Sequence, residues 1–257
     1  MASTVESMVH LLASAHRTRR MVRRADLDAL DVSVAEAYAA QAGTLIALGE
    51  RAGGWKVGFG SDGSAVAAPM LASTCVESGA EVELPPDRPV ILEIEIAFRL
   101  ARDLPPRPGR PYTRGEVEDA VEFALAGAEI LAPRGGMPTD GTPYPRFLAD
   151  LLGNAGYVSG GDTRGFRSID LATRRVRLWI DDELVHDAVG GHPQGDPWAP
   201  VVAWAGAQRD RAGGLARGQV VTTGSLNKPL SIDRPCRVRA SVEDVGEVAF
   251  AFVAAKR

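Results

Sequence analysis

The clearest pattern in the chain is VILEIEIAFRL at 90–100. Leu92, Ile94, Ile96, Phe98 and Leu100 fall on one side of a period-two alternation, and Glu93, Glu95, Ala97 and Arg99 on the other. That spacing predicts a half-buried β-strand, because successive strand side chains point to opposite faces. WKVGF (55–59), set among glycines, predicts a second strand. Further strands are expected at 156–159, 219–223, 236–242 and 247–253, and a hairpin at 174–185 turning through Asp181 and Asp182. Helical periodicity dominates residues 5 to about 50. Val9, Leu12 and His16 share one face there, and 33–49 is rich in Ala and Leu behind a serine placed to cap it. RGEVEDAVEFALAGAE (114–129) reads as an amphipathic helix ending near Gly127, and 198–210 as another helix. A Pro- and Gly-rich loop fits 133–147. The expected architecture is α+β: an N-terminal helical region (1–70) and a strand-rich body (71–257). Neither βαβ alternation nor a Gly-rich phosphate loop is found.

A chain of 257 residues can bury a full core without disulfides. With 45% apolar and 24% charged residues it has the balance of a globular protein and not of a disordered one. A formal charge of −4 argues against nucleic acid as the main partner. Two cysteines, Cys75 and Cys236, exclude a disulfide framework and a Cys-rich zinc site and read as reduced thiols. No apolar stretch is long enough to span a membrane and no secretory signal is found, so a cytoplasmic protein is expected. Arginines 17, 19, 20, 23 and 24 form a basic run that suits either an anionic ligand or a solvated face or subunit contact. Only three of the 29 basic residues are lysines: Lys56, Lys228 and Lys256.

Glu93 and Glu95, two apart on one strand, project side by side. Adjacent carboxylates repel unless a cation lies between them, and hard oxygen donors of this kind suit Mg²⁺ or Mn²⁺. A solvated strand face would carry the same pattern. Glu129 sits among Ala, Ile and Leu in AGAEILAP, where a carboxylate either escapes to water at a helix end or needs a buried partner, such as a metal. Tyr157 and Trp198 read as packing residues. His192, before Pro193 in a glycine-rich loop, reads as a hydrogen-bonding loop residue, and His10, His16 and His186 as ordinary helix or strand residues.

Taken in order, GWKVGF (54–59), LEIEIAFRLARDLP (92–105), AEILAPR (128–134), GYVSG (156–160), GGHPQGDPWAPVVAWA (190–205) and GQVVTTGSL (218–226) resemble one family. It is the 2-oxopent-4-enoate hydratase / 4-oxalocrotonate decarboxylase branch of the fumarylacetoacetate hydrolase superfamily. The Glu-x-Glu strand, the downstream Glu and the late Thr-Gly-Ser carry the superfamily. The Gly-x-Lys-x-Gly and Gly-His-Pro segments favour this branch.

The resemblance implies a mixed β-roll with an N-terminal helical region and a divalent metal, Mg²⁺ or Mn²⁺, held by Glu93, Glu95 and Glu129. It implies a catalytic role for Lys56, near the substrate carboxylate and the reacting carbons, where a depressed pKa is expected. It places Thr223, Gly224 and Ser225 along the substrate site. The implied activity is hydration of 2-hydroxy-alka-2,4-dienoates or their 2-oxo tautomers from aromatic breakdown. Sister activities are decarboxylation of an unsaturated 2-oxo diacid and C–C hydrolysis of an acylpyruvate. Implied partners are the small 2-oxo acid substrate, further copies of the chain and a pathway decarboxylase or hydratase; an inactive partner subunit is the non-enzyme alternative. The chain departs from the family in four places. Asp150-Leu151-Leu152-Gly153-Asn154 replaces Asp-Asn-Ala-Ser, AAPMLAST (67–74) lacks the usual acidic residue, Ala132-Pro133-Arg134 replaces Asp-Ser-Arg, and Asn227-Lys228-Pro229 replaces small residues.

Overall fold

Two serine caps set the N-terminal helices. In the computed structural model, which describes residues 2–255, α1 (Thr4–Thr18) and α3 (Val34–Leu48) each open with a capping box, Ser3 with Glu6 and Ser33 with Glu36. Between them lies the short α2 (Arg24–Asp28). Helix α1 stops where Arg19 turns left-handed at φ 57°. Four of the five clustered arginines are engaged within the chain: Arg17 with the Ala47 carbonyl, Arg19 with Glu83, Arg23 with Asp26 and Arg24 with Asp28. Lys256 lies outside the described residues.

Strands follow in the order β1 (Ala52–Phe59), β2 (Ala65–Leu71), β3 (Cys75–Glu77), β4 (Glu81–Glu83) and β5 (Val90–Leu100). After α4 (Arg114–Glu118) come β6 (Val121–Leu131), α5 (Tyr144–Ala149), β7 (Asn154–Thr163), β8 (Arg175–Ile180) and β9 (Glu183–Val189). Helix α6 (Trp198–Ala207) precedes β10 (Val220–Ser225), β11 (Leu230–Ile232), β12 (Cys236–Val242) and β13 (Gly246–Val253). One mixed eight-stranded sheet runs β2-β1-β10-β5-β6-β7-β3, with β11 also paired to β5; a five-stranded sheet runs β4-β13-β12-β8-β9. The expected α+β fold is what the chain forms. Its helical part ends at Leu48, and residues 52–71 already belong to the large sheet.

Residues 114–129 depart from the expected helix. A Thr113–Glu116 capping box starts a helix that ends at Glu118, and 121–131 is a strand between β5 and β7. Burial on both faces removes the polar stripe that a surface helix needs, and tertiary context overrides the helix propensity of its alanines. Small residues are also required sterically: a Cβ on Gly127 would lie 2.0 Å from the Tyr157 hydroxyl. Strand β2, which the pattern did not reveal, is buried throughout and carries Pro69. Proline is tolerated there because β2 is an edge strand of its sheet.

The core determines which way β1 faces. Trp55 is fully buried, with Trp204 at 6.3 Å between ring centroids, and Trp204 in turn stacks on Tyr38. The Trp55 indole N–H donates to the Gly214 carbonyl and the Gln219 side chain. With Trp55 held in the core, the next residue, Lys56, must project from the other face.

His16 is mostly buried, its Nε2 unpartnered among the described residues. Burial, with Arg134 and Arg88 nearby, pushes its pKa down to about 2. The folded protein therefore keeps His16 neutral while the unfolded chain protonates it below about pH 6.5, so acid favours unfolding. Wild type should lose up to about 1.4 kcal/mol per pH unit from this group as pH falls below that value. His16→Gln should lack that component. Urea midpoints across the pH range check this, and parallel profiles for the two proteins would contradict it.

Candidate metal and substrate site

Register places the three glutamates. In the antiparallel β5–β6 ladder Glu93 lies directly opposite Glu129, and Glu95 opposite Gly127. Paired residues share a face, so Glu93, Glu95 and Glu129 converge. One carboxylate oxygen from each lies within 4.8 Å of the others. Glu95 and Glu129 are only 2% and 1% exposed. Lys56, on β1 and paired with Thr222 of β10, reaches the group from the side. Its Nζ is 2.8 Å from Glu129 Oε1 and donates to the Leu152 carbonyl at 3.3 Å.

Other donors orient the carboxylates. Asn154 Nδ2 donates to Glu129 Oε1 at 2.9 Å, the oxygen that Lys56 also contacts. The Thr222 hydroxyl and the Gly224 N–H both donate to Glu95 Oε2. Among the described residues, Glu129 Oε2 and Glu95 Oε1 receive no protein donor. The second oxygens thus remain available as ligands.

The charges do not balance within the protein. Three carboxylates meet one ammonium, so two negative charges are uncompensated. Burial, then repulsion from Glu129, raises the Glu93 pKa; burial, then Glu129 and Glu93, raises that of Glu95. A divalent cation would supply the missing charge, and hard carboxylate donors suit Mg²⁺ or Mn²⁺. The residues fit such an ion, with Glu93, Glu95 and Glu129 as its ligands. In the ion-free cluster burial pulls the Lys56 pKa down, but Glu129, Glu93 and Glu95 together outweigh burial and leave it above the ordinary lysine value; the depressed value expected of Lys56 concerns the site with a cation beside it. Tyr157, across from Glu129 on β7, is buried; burial and Glu95 hold its hydroxyl well above the usual value, so it stays protonated.

These groups open onto a cavity of about 590 Å³, whose wall includes Gly224, Ser225, His186 and Lys228. Thr223 is not on that wall: its hydroxyl donates to the Ile96 carbonyl at 2.7 Å, on the opposite side of β10. Its neighbour Thr222 faces the glutamates instead. Ser225 Oγ donates to the Asn227 carbonyl. His192 Nε2 contacts the Thr223 carbonyl at 3.0 Å while Nδ1 accepts from Gln194 N–H, so the ring pins β10. Sequence reasoning missed Thr222, Asn154, His186 and Lys228. The signal for Thr222 was available in the alternation of Val220-Val221-Thr222-Thr223, had the face of β10 been known. The other three come from a loop, a strand start and a second sheet, where sequence spacing carries no such signal.

Beneath the site, Arg134 and Asp150 form a buried pair, 4% and 1% exposed. Asp150 accepts from Arg134 Nε and N–H and from Gly135 N–H, while Arg134 Nη2 donates to the Asn154 carbonyl at 2.6 Å. The pair ties the end of β6 to the start of β7 and so places Asn154.

No family model matches the chain. It is 25% identical over 264 residues to 2-oxo-hept-4-ene-1,7-dioate hydratase of Escherichia coli, covering 94% of this chain and 95% of that one. It is 23% identical over 146 residues to 4-oxalocrotonate decarboxylase of Pseudomonas putida, covering 54% and 52%. The chain resembles the hydratase/decarboxylase branch. Its fold matches that of 4-oxalocrotonate decarboxylase from Pseudomonas putida G7 complexed with magnesium and adipate. The TM-score is 0.80 at 17% identity, over 97% of both chains. No helix in the described residues is long and apolar enough to cross a membrane.

Two measurements check the site. Mg²⁺ should raise the thermal midpoint of wild type, and by more at mildly alkaline than at mildly acidic pH. The raised carboxylate pKa values mean that protons stabilise the ion-free cluster at low pH and are lost as pH rises. A shift independent of pH would contradict this. Asp150→Asn leaves Arg134 buried without a counter-charge and should cost about 3–5 kcal/mol in urea unfolding; a loss below about 1 kcal/mol would mean the pair is not what holds this segment.

Proposed function

We propose that the protein is a divalent-metal-dependent hydro-lyase acting on 2-hydroxy-alka-2,4-dienoates or their 2-oxo tautomers. The observation that carries this reading is the convergence of two buried carboxylates, a third that is half-buried, and one lysine at a cavity of about 590 Å³. Relatives named as a hydratase and a decarboxylase of unsaturated 2-oxo diacids support the substrate class. A 1,7-dioate hydratase that aligns over almost the whole chain supports hydration over decarboxylation.

Glu93, Glu95 and Glu129 would hold the ion. When bound, it supplies Lewis acidity toward the 2-oxo group and stabilises the enolate charge. Lys56 provides the mobile proton. Its Nζ sits between Glu129 and the Leu152 carbonyl, so the ammonium is fixed in direction and faces the cavity. In this reading Lys56 holds the substrate carboxylate and moves protons along the conjugated chain. The 2-hydroxyl loses its proton and C5 gains one; water then adds hydroxyl at C4 and hydrogen at C3. Asn154 and Thr222 keep the two buried carboxylates from rotating as this charge moves. Val57, Ala188, Pro193 and Leu226 contribute apolar wall against which the carbon chain of the substrate can pack.

The decisive assay follows the ultraviolet decay of 2-hydroxypenta-2,4-dienoate and of its 1,7-diacid homologue with Mg²⁺ or Mn²⁺, with product identification. A 4-hydroxy-2-oxo acid is expected. Release of CO₂ from an unsaturated 2-oxo diacid would reassign the enzyme as a decarboxylase, and pyruvate plus a free acid from an acylpyruvate as a C–C hydrolase. No turnover and no metal binding, with stabilisation of another chain, would make it a partner subunit. Glu95→Gln should abolish both the Mg²⁺ thermal shift and activity while the protein stays folded. Lys56→Ala should keep the thermal shift and lower kcat/KM by about 100-fold or more; wild-type kinetics in that variant would remove Lys56 from the reaction.

A further inference from the structure

The same cavity carries a second cation that the hydration chemistry does not use. Lys228 lines it together with Lys56 and the three glutamates. Lys56 is engaged by Glu129, whereas Lys228 is exposed and forms no ion pair among the described residues. Its side chain is free, but its backbone is not. Asn227, 7% exposed, accepts from Ile94 N–H at 2.6 Å and donates from Nδ2 to the Leu92 carbonyl at 3.3 Å and to the Lys228 carbonyl at 2.7 Å. Leu226 N–H donates to the Ile94 carbonyl at 2.8 Å, and Ser225 Oγ to the Asn227 carbonyl at 2.7 Å. After Pro229 the chain pairs with β5 again, Leu230 against Leu92. The Asn227 side chain thus replaces the missing strand pairing where the loop lifts off β5. The lysine is presented from a fixed platform, and little backbone order remains to be lost when a ligand arrives.

Charge then selects the ligand. With a divalent ion in place, the glutamates and Lys56 sum to zero, which leaves Lys228 as the unmatched lysine on the wall. His186, from β9, adds a ring nitrogen that has no hydrogen-bond partner among the described residues. Val57, Ala188, Pro193, Leu226 and Pro229 make much of the remaining wall apolar, and the polar side chains of Ser225 and Asn227 beside them are committed to hydrogen bonds of the loop and β5. An apolar-walled cavity with chelating chemistry at one place and an unmatched ammonium at another suits a molecule with an acid group at each end.

We propose that Lys228 is a specificity residue that holds the distal carboxylate of the substrate, so that the site takes 2-oxo dicarboxylic acids in preference to monoacids of the same length. This rests on the cavity being the substrate site, and it deepens that reading by naming the substrate class.

The test uses ligands that lack the conjugated alkene and so do not turn over. Binding of 2-oxoadipate and of 2-oxohexanoate to the Mg²⁺-loaded full chain is measured by calorimetry. Wild type should bind the diacid roughly 10-fold or more tighter, as a charge-assisted contact at a partly open site provides. Lys228→Met should erase that difference while leaving 2-oxohexanoate affinity and the Mg²⁺ thermal shift unchanged. Lys228→Arg should keep most of the difference. The preference should shrink as salt is added, because the contact lies near solvent. Equal affinities in wild type, or a Lys228→Met variant that retains the preference, would overturn the role of Lys228 while leaving the site reading intact. Failure of both ligands to bind wild type would overturn the site reading and this inference together.

Discussion

Everything in this site follows from an electrostatic constraint: three carboxylates, Glu95 and Glu129 buried and Glu93 half-buried, share one sheet face with a single ammonium beside them. Burial makes each charge costly, and their mutual repulsion adds to that cost. The fold holds them there through β-ladder register. Glu93 faces Glu129 because β5 and β6 pair in one alignment, and a one-residue slip of β6 would turn Glu129 into the opposite layer. The close approach of Gly127 to Tyr157 and the Arg134–Asp150 pair both oppose such a slip. The elements that make the site electrostatically strained are therefore the ones that make its geometry unique.

Much of this was legible in the chain. The alternation of 90–100 delivered β5 residue for residue, since a strand with one polar face is the pattern that period-two reasoning detects best. The serine before 33–49 marked the start of α3 for a similarly local reason, whereas the matching cap at Ser3 was not read. β6 was misread because it is buried on both faces and rich in alanine, whose helix propensity is visible in sequence while its packing role is not. β2 went unseen because a strand buried throughout shows no alternation, and its proline argued against a strand.

At the site, the paired glutamates stood out by residue type and spacing and Glu129 by its apolar surroundings, whereas Lys56 was singled out by the family resemblance. The surroundings of Glu129 were read correctly even though its element was not. Thr223 came with the Thr-Gly-Ser resemblance, and the motif does not say which hydroxyl faces inward; β10 decides that through its pairing with β5. The departures from the family pattern also acquire physical reasons. Asp150 and Arg134 satisfy each other, Asn154 serves Glu129, and Asn227 completes the hydrogen bonding of β5.

The floor and the rim of the cavity differ in how the chain encodes them. The floor is written across β1, β5, β6 and β10, whose side chains also face the core, so almost any replacement there disturbs packing as well as chemistry. The rim at Lys228 rests on main-chain contacts made by its neighbours, and its own exposed side chain forms no hydrogen bond or ion pair among the described residues. Replacement at Lys228 should accordingly be tolerated by the fold, so that a change there can retune which molecules are accepted without disturbing the architecture underneath.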